Sequence, residues 1–224
     1  MELDYLFVTW SATMTRLSPD ALIAQAAAIT LAQPTFHLSI QNERGKTTVF
    51  PGVQLQGVEG AVKQPDRFRA KAKAKAVFVT VEIQVIGIAG RLWMANPIQG
   101  AKNFKERTVD AKYLPLTRPD NIVQLLLKLL EEPRIDRTEK NGNQVETVIA
   151  GLFNLKRLSE VAPELASSPI KTDQALPTEI WIDGDSIIHR LKIFGPMVTY
   201  DDSNVIRVIE FSRFGEPVTI DEPS

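Results

Sequence analysis

The chain has 224 residues, 44% of them hydrophobic, and a formal net charge of −1. That size can bury a real core as one large domain or two small ones, and so balanced a charge gives no long-range pull toward nucleic acid, which is not expected as a partner. There is no cysteine, which excludes a disulfide framework, thiol catalysis and thiolate metal sites, and there are only two histidines.

Residues 1–17 lack a basic start followed by an apolar run, so they do not read as a signal peptide. They read as an N-terminal extension or a replaced leader, ahead of a single domain over 18–224. Ser18, Pro19 and Asp20 then predict a helix start: a capping hydroxyl, proline in the first turn and an acid beside it. The following DALIAQAAAITLAQ reads as an amphipathic helix ending near Pro34, with Leu22, Ala26 and Ile29 on one face and Ile23 and Ala27 alongside.

From Thr35 to about Ala95 the pattern is strand after strand. TFHLSIQ, TTVF, VQLQGVEGAVK, DRFRAKAKA, VFVTVEIQVIG and RLWMA are separated by turn-sized connections, which predicts an antiparallel meander that curls or twists. No apolar run here is long enough to cross a bilayer as a helix.

The stretch RFRAKAKAKA has good helix formers but a period of two, so it reads as a strand. Arg67, Arg69, Lys71, Lys73 and Lys75 point one way, and Phe68, Ala70, Ala72, Ala74 and Ala76 the other. A core-facing strand usually offers larger side chains, and close packing forbids leaving the space empty. Either bulky side chains opposite fill the room above the alanines, or something that is not protein does. The basic face reads as solvated, or as meeting anionic headgroups.

Asp120 predicts the cap of a second helix, NIVQLLLKLLEE, which Pro133 would stop. Ile122, Leu125, Leu126, Leu129 and Leu130 form its apolar stripe, and Val123 and Leu127 widen it beyond what one contact needs. Next come a hairpin around Asn141, Gly142 and Asn143, a short helix capped by Asn154, and a linker-like ASSPIKTDQALP. TEIWID, SIIHRLKIFG and NVIRVIEFSRFG read as strands, with a short last strand in EPVTI. The whole is α+β.

Two motifs fall short. IQNERGKT ends like a phosphate-binding loop but lacks its first glycine and following helix, so it reads as a hairpin turn. DGDSIIH offers Ser186 and His189, but a strand places them on opposite faces, and DGDS is turn chemistry. His37 and His189 have no carboxylate cluster at ligand spacing, so they read as outward strand residues and no metal or other cofactor is expected. Trp93 and Trp181 read as core or rim aromatics.

GVEGAVKQPDRFRAKAKAKAVFVTVEIQVIGIAGRLWMA, TEIWIDGDSIIHRLKI and IEFSRFGEPVTIDEPS resemble, in order and spacing, the LppX/LprAFG family of bacterial cell-envelope lipoproteins. The resemblance runs from about residue 18 to 222. It implies a LolA/LolB-like fold: a strongly curved antiparallel half-barrel with helices packed across its concave face and an apolar cavity between them. It implies a non-enzymatic protein, a monomer, that holds the acyl chains of a lipid or glycolipid and works at a membrane surface. On that reading the lipid-facing residues are Phe68, Ala70, Ala72, Ala74, Val81, Ile83, Val85, Ile122, Leu126, Leu129 and Leu130. Export and a lipid anchor are implied by the family alone. A protein-interaction or sensor module on the same scaffold, its core filled by its own side chains, is the alternative.

Overall fold

The computed structural model describes residues 17–50, 52–76, 79–95, 103–108, 119–142, 144–163 and 170–223, except the side chains of 49, 50, 119, 120, 122, 123 and 126. Its frame is one open, curved, antiparallel sheet of 12 strands. The strands are β1 (Thr35–Arg44), β2 (Thr47–Phe50), β3 (Val53–Lys63), β4 (Arg67–Ala76), β5 (Val79–Ile88), β6 (Arg91–Ala95), β7 (Phe104–Arg107), β8 (Leu130–Asn141), β9 (Gln144–Asn154), β10 (Ala175–Ile182), β11 (Ile188–Phe194) and β12 (Ile206–Ser212). The order across the sheet is β7-β6-β5-β4-β3-β1-β12-β11-β10-β9-β8, so the first and last strands of the chain's two halves join in the middle. Among the named strands β2 pairs with β3 and not with β1, so the IQNERGKT turn links strands that are not partners, rather than closing the expected hairpin. Both edges carry charge: β7 is the short FKER, and β8 runs LEEPRIDRTEKN, which discourages pairing with other chains.

Helix α1 (Pro19–Leu31) starts as its sequence requires, with Ser18 Oγ accepting the Ala21 amide at 3.2 Å. Its buried residues are Ile23, Ala26 and Thr30, so the inward stripe is centred beside the predicted one, with Leu22 and Ile29 half-buried. The buried Thr30 hydroxyl accepts the Ile188 amide at 2.8 Å, tying the helix end to β11.

Helix α2 (Pro119–Lys128) ends earlier than the leucine pattern predicts. Leu130 is already in β8, opposite Phe153, and Pro133 sits within the strand at a register shift between Glu131 and Arg134. An edge strand tolerates proline at such a bulge, and burying Leu130 beside Phe153 outweighs another helical turn. A 3-10 turn (Leu155–Arg157), its Lys156 amide bonded to Asn154 Oδ1, leads into α3 (Leu158–Val161).

The main core lies on one face of the sheet. It joins Phe36 and Leu38 of β1, Phe153, Ile180, Leu191 and Phe211 of the C-terminal strands, and Ile23 and Ala26 of α1. A smaller core lies on the outer face, where Ile220 packs with Ile86, Ile88 and Trp93. The segment EPVTI forms no strand there. It crosses the outside of β5 and β6 as a strap, held by Arg67 Nη1 donating to the Ile220 carbonyl at 2.8 Å and by an Arg91–Glu222 ion pair at 2.9 Å.

Candidate functional site

The alternation of 67–76 fixes the geometry of its neighbours. Ala70 pairs with Val85, Ala72 with Ile83, Ala74 with Val81 and Ala76 with Val79, and on the other side Gly60 and Val58 pair with Ala70 and Ala72. These residues extend the apolar face of the sheet away from the main core.

Cover is unequal along this face. Phe36, Ile149, Phe153, Ile180, Leu191 and Ile193 are fully buried in the main core. Ala70, Ala72, Val81, Ile83 and Val85 are only half-buried, Ala74 is buried, and Val79 at the hairpin end is 62% exposed. The inner end is closed by Phe68, 4% exposed, whose ring occupies the space over Gly87. The result is an apolar wall, walled off at Phe68, half-covered along most of its length and exposed at Val79.

A second apolar surface lies between the helices. Ile23, Ala24 and Ala27 of α1 face Leu127 of α2 and Leu130 and Pro133 of β8 across an open groove of about 310 Å³, with Asp20, Gln124 and Lys128 also lining it. Of the residues that widen the apolar stripe of α2, Leu127 lines this groove. Of the predicted lipid-facing residues in this region, Leu130 lines the groove and Leu129 is buried in the main core. Ile122 and Leu126 lie on α2, but their side chains are outside the described residues.

The outer face of the same strands is polar. Lys71 Nζ lies 3.1 Å from Glu82 Oε2, and the Glu82 carboxyl is held below the ordinary carboxylate range by the Gln84 amide first and Lys71 second. Between β1, β3 and β4 an open groove of about 460 Å³ is lined by small side chains at Ser39, Ala61 and Ser212 and flanked by His37, Arg69 and Arg213.

Two polar constellations were not foreseen. Asp183 Oδ2 meets His189 Nε2 at 2.7 Å while its Oδ1 accepts the Asp185 and Ile187 amides, and the His189 ring stands edge-on to Phe214. His189 is thus half-buried and partnered, not simply outward. Ser186 belongs to the turn itself, at φ 60, with its amide donating to the Asp183 carbonyl. Among the described residues, no group of three or more histidines or carboxylates could hold a metal.

The other constellation lies in the core phase of β12. Arg207 Nη2 donates to both Asp201 oxygens at 3.0 Å and to Thr47 Oγ1 at 2.8 Å, and Asp201 also accepts the Met197 and Val198 amides. Arg207 occupies an apolar position in the alternation with Ile209 and Phe211. That misplacement was the available signal, although its partner comes from a loop.

Comparison with known proteins gives a consistent picture. The structure is similar to that of LprF from Mycobacterium bovis, with a TM-score of 0.59 at 15% identity over 92% of this chain and 97% of that one. It is equally similar to the Mycobacterium tuberculosis lipoprotein LppX, with a TM-score of 0.60 at 16% identity over 91% of this chain and 98% of that one. At such identities the likeness establishes the fold. No curated protein matches the sequence significantly. The family model of the LppX_LprAFG lipoproteins matches residues 18–220, nearly the whole chain, and the protein belongs to that family, whose members are exported, envelope-associated lipoproteins.

Proposed function

We propose that the protein is a non-enzymatic carrier of acylated lipid or glycolipid at the bacterial cell envelope, working as a lipid-anchored monomer. Acyl chains lie along the wall formed by Ala70, Ala72, Val81, Ile83 and Val85, with Phe68 at the closed end and the helices as the movable cover across the concave face. The observation that carries this reading is the contrast in burial along one apolar face: complete at Ile149, Phe153, Ile180, Leu191 and Ile193, partial at Ala70, Ala72, Val81, Ile83 and Val85. Each methylene withdrawn from water contributes about 0.8 kcal/mol, so a long chain binds tightly with few polar contacts. The alanines then leave room for cargo, which answers why an apolar strand face should be so small.

Titration with a fluorescent fatty acid tests it. Saturable binding that Ala72→Trp weakens at least tenfold, in a protein with an unchanged circular dichroism spectrum, is expected; absence of saturable binding contradicts it.

One observation favours a second reading. The apolar groove between α1, α2 and β8 is open rather than enclosed, which suits a protein-interaction or sensor module whose core is filled by its own side chains. In that case Ala72→Trp leaves acyl binding absent in both forms and alters binding to a protein instead.

A further inference from the structure

Strands β4 and β5 have two unlike faces, and Lys75, Val79 and Thr80 at their adjoining ends are exposed. On their outer face stand Arg67, Arg69, Lys71, Lys73 and Lys75, while the acids of β3, β4 and β5 together are only Glu59 and Glu82. In a chain of net charge −1 this is a marked local separation of charge. Arg67 is committed to the Ile220 carbonyl and Lys71 to Glu82. Lys73 stands across from Glu82 in register and Lys75 across from Thr80, and neither has an ion pair within 4 Å among the described residues. Both are exposed and lie nearest the hairpin end.

On the other face Gly87 is buried under Phe68, Val85, Ile83 and Val81 are half-buried beside a buried Ala74, and Val79 is 62% exposed. The neighbouring β3 begins beside it, with Val53 opposite Ala76. An exposed valine near the end of a shank carrying lysines suits an interface that is itself apolar within and anionic at its surface. A nucleic acid or acidic protein would use the lysines but leave Val79 without a partner.

We propose that the β4–β5 hairpin is the element that docks the protein onto an anionic phospholipid bilayer. Val79 enters the interfacial region, Lys73 and Lys75 reach the phosphates, and the open end of the apolar wall is delivered to the acyl layer. That last step rests on the carrier reading; the docking itself does not. Each lysine near an anionic surface is worth about a fivefold gain in partitioning, so Lys73→Gln with Lys75→Gln should weaken binding about 25-fold.

Flotation of the full chain with vesicles of phosphatidylcholine, with or without phosphatidylglycerol, is the test. Binding is expected only when phosphatidylglycerol is present. It should fall steeply with salt, drop about 25-fold in the double lysine variant and fall also in Val79→Asp. Ala72→Trp should bind vesicles normally while losing the fluorescent fatty acid. Uptake of the fatty acid without vesicle binding overturns the docking proposal and leaves the carrier reading intact; vesicle binding without uptake does the reverse. Equal binding to both vesicle types, or binding to a soluble polyanion and not to vesicles, overturns the docking proposal.

Discussion

The ring of Phe68 lies directly on the backbone of Gly87: a Cβ added there would stand 2.0 Å from Phe68 Cε1. The pair is in register across β4 and β5, so the only residue opposite Phe68 that leaves room for its ring is glycine. This contact sets the closed end of the apolar wall. Gly87→Ala must push the ring out of its place and should destabilise the protein by about 1–3 kcal/mol. In a Phe68→Leu background the cost should shrink, and urea unfolding of the four proteins in a double-mutant cycle measures the coupling.

The Arg207–Asp201 pair is buried, with side-chain exposures of 9% and 0%. Removing one partner leaves the other charge with no anion or cation to answer it. Asp201→Ala is expected to cost about 3–5 kcal/mol in chemical denaturation. Paired replacement by apolar residues of similar volume should cost much less than the single change.

Ile220 is 1% exposed and holds the C-terminal strap against Ile86, Ile88 and Trp93. Ile220→Ala should cost about 2–5 kcal/mol, read as a lowered midpoint in thermal or urea unfolding. If the strap were merely a loose tail, the midpoint would not move.

Glu139 accepts the Trp181 indole N–H at 2.9 Å, and that bond first, then Arg137, holds its carboxyl below the ordinary value of 4.5. A depressed carboxylate contributes stability that is present above pH 4.5 and is lost as the pH falls through the lower folded value. Tryptophan fluorescence of the folded protein should therefore change in that acid range, and the transition should be missing in Glu139→Gln.

Much of this architecture is legible in the sequence where one physical signal dominates. The strict period of 67–76 placed β4 at its observed residues, and Ser18-Pro19-Asp20 placed the start of α1. Where two signals competed, local pattern lost to packing. The leucine stripe of α2 runs on through Leu129 and Leu130, yet the edge of the sheet takes Leu130 as a strand residue. The strap was hidden for a related reason. EPVTI alternates like a strand, but it satisfies an apolar patch on the outer face instead of a sheet edge. Ile86-Gly87-Ile88 did carry a signal, since three consecutive nonpolar residues at the end of β5 mean that both faces are covered there. The joining of β1 to β12 depends on contacts from opposite ends of the chain and has no local signature.

The candidate wall was legible as residue identities and not as cover. Small side chains on one face of β4 are visible in the sequence, whereas the half-exposure of Ala70 and Ala72 depends on tertiary packing, which no local pattern encodes.

Native mass spectrometry of the intact protein, purified from a host with accessible membranes and then denatured, tests the central claim most directly. The account predicts a releasable lipid adduct on the wild type that is absent from folded Ala72→Trp. A bare mass on both, unchanged after incubation with lipid extract, would contradict it.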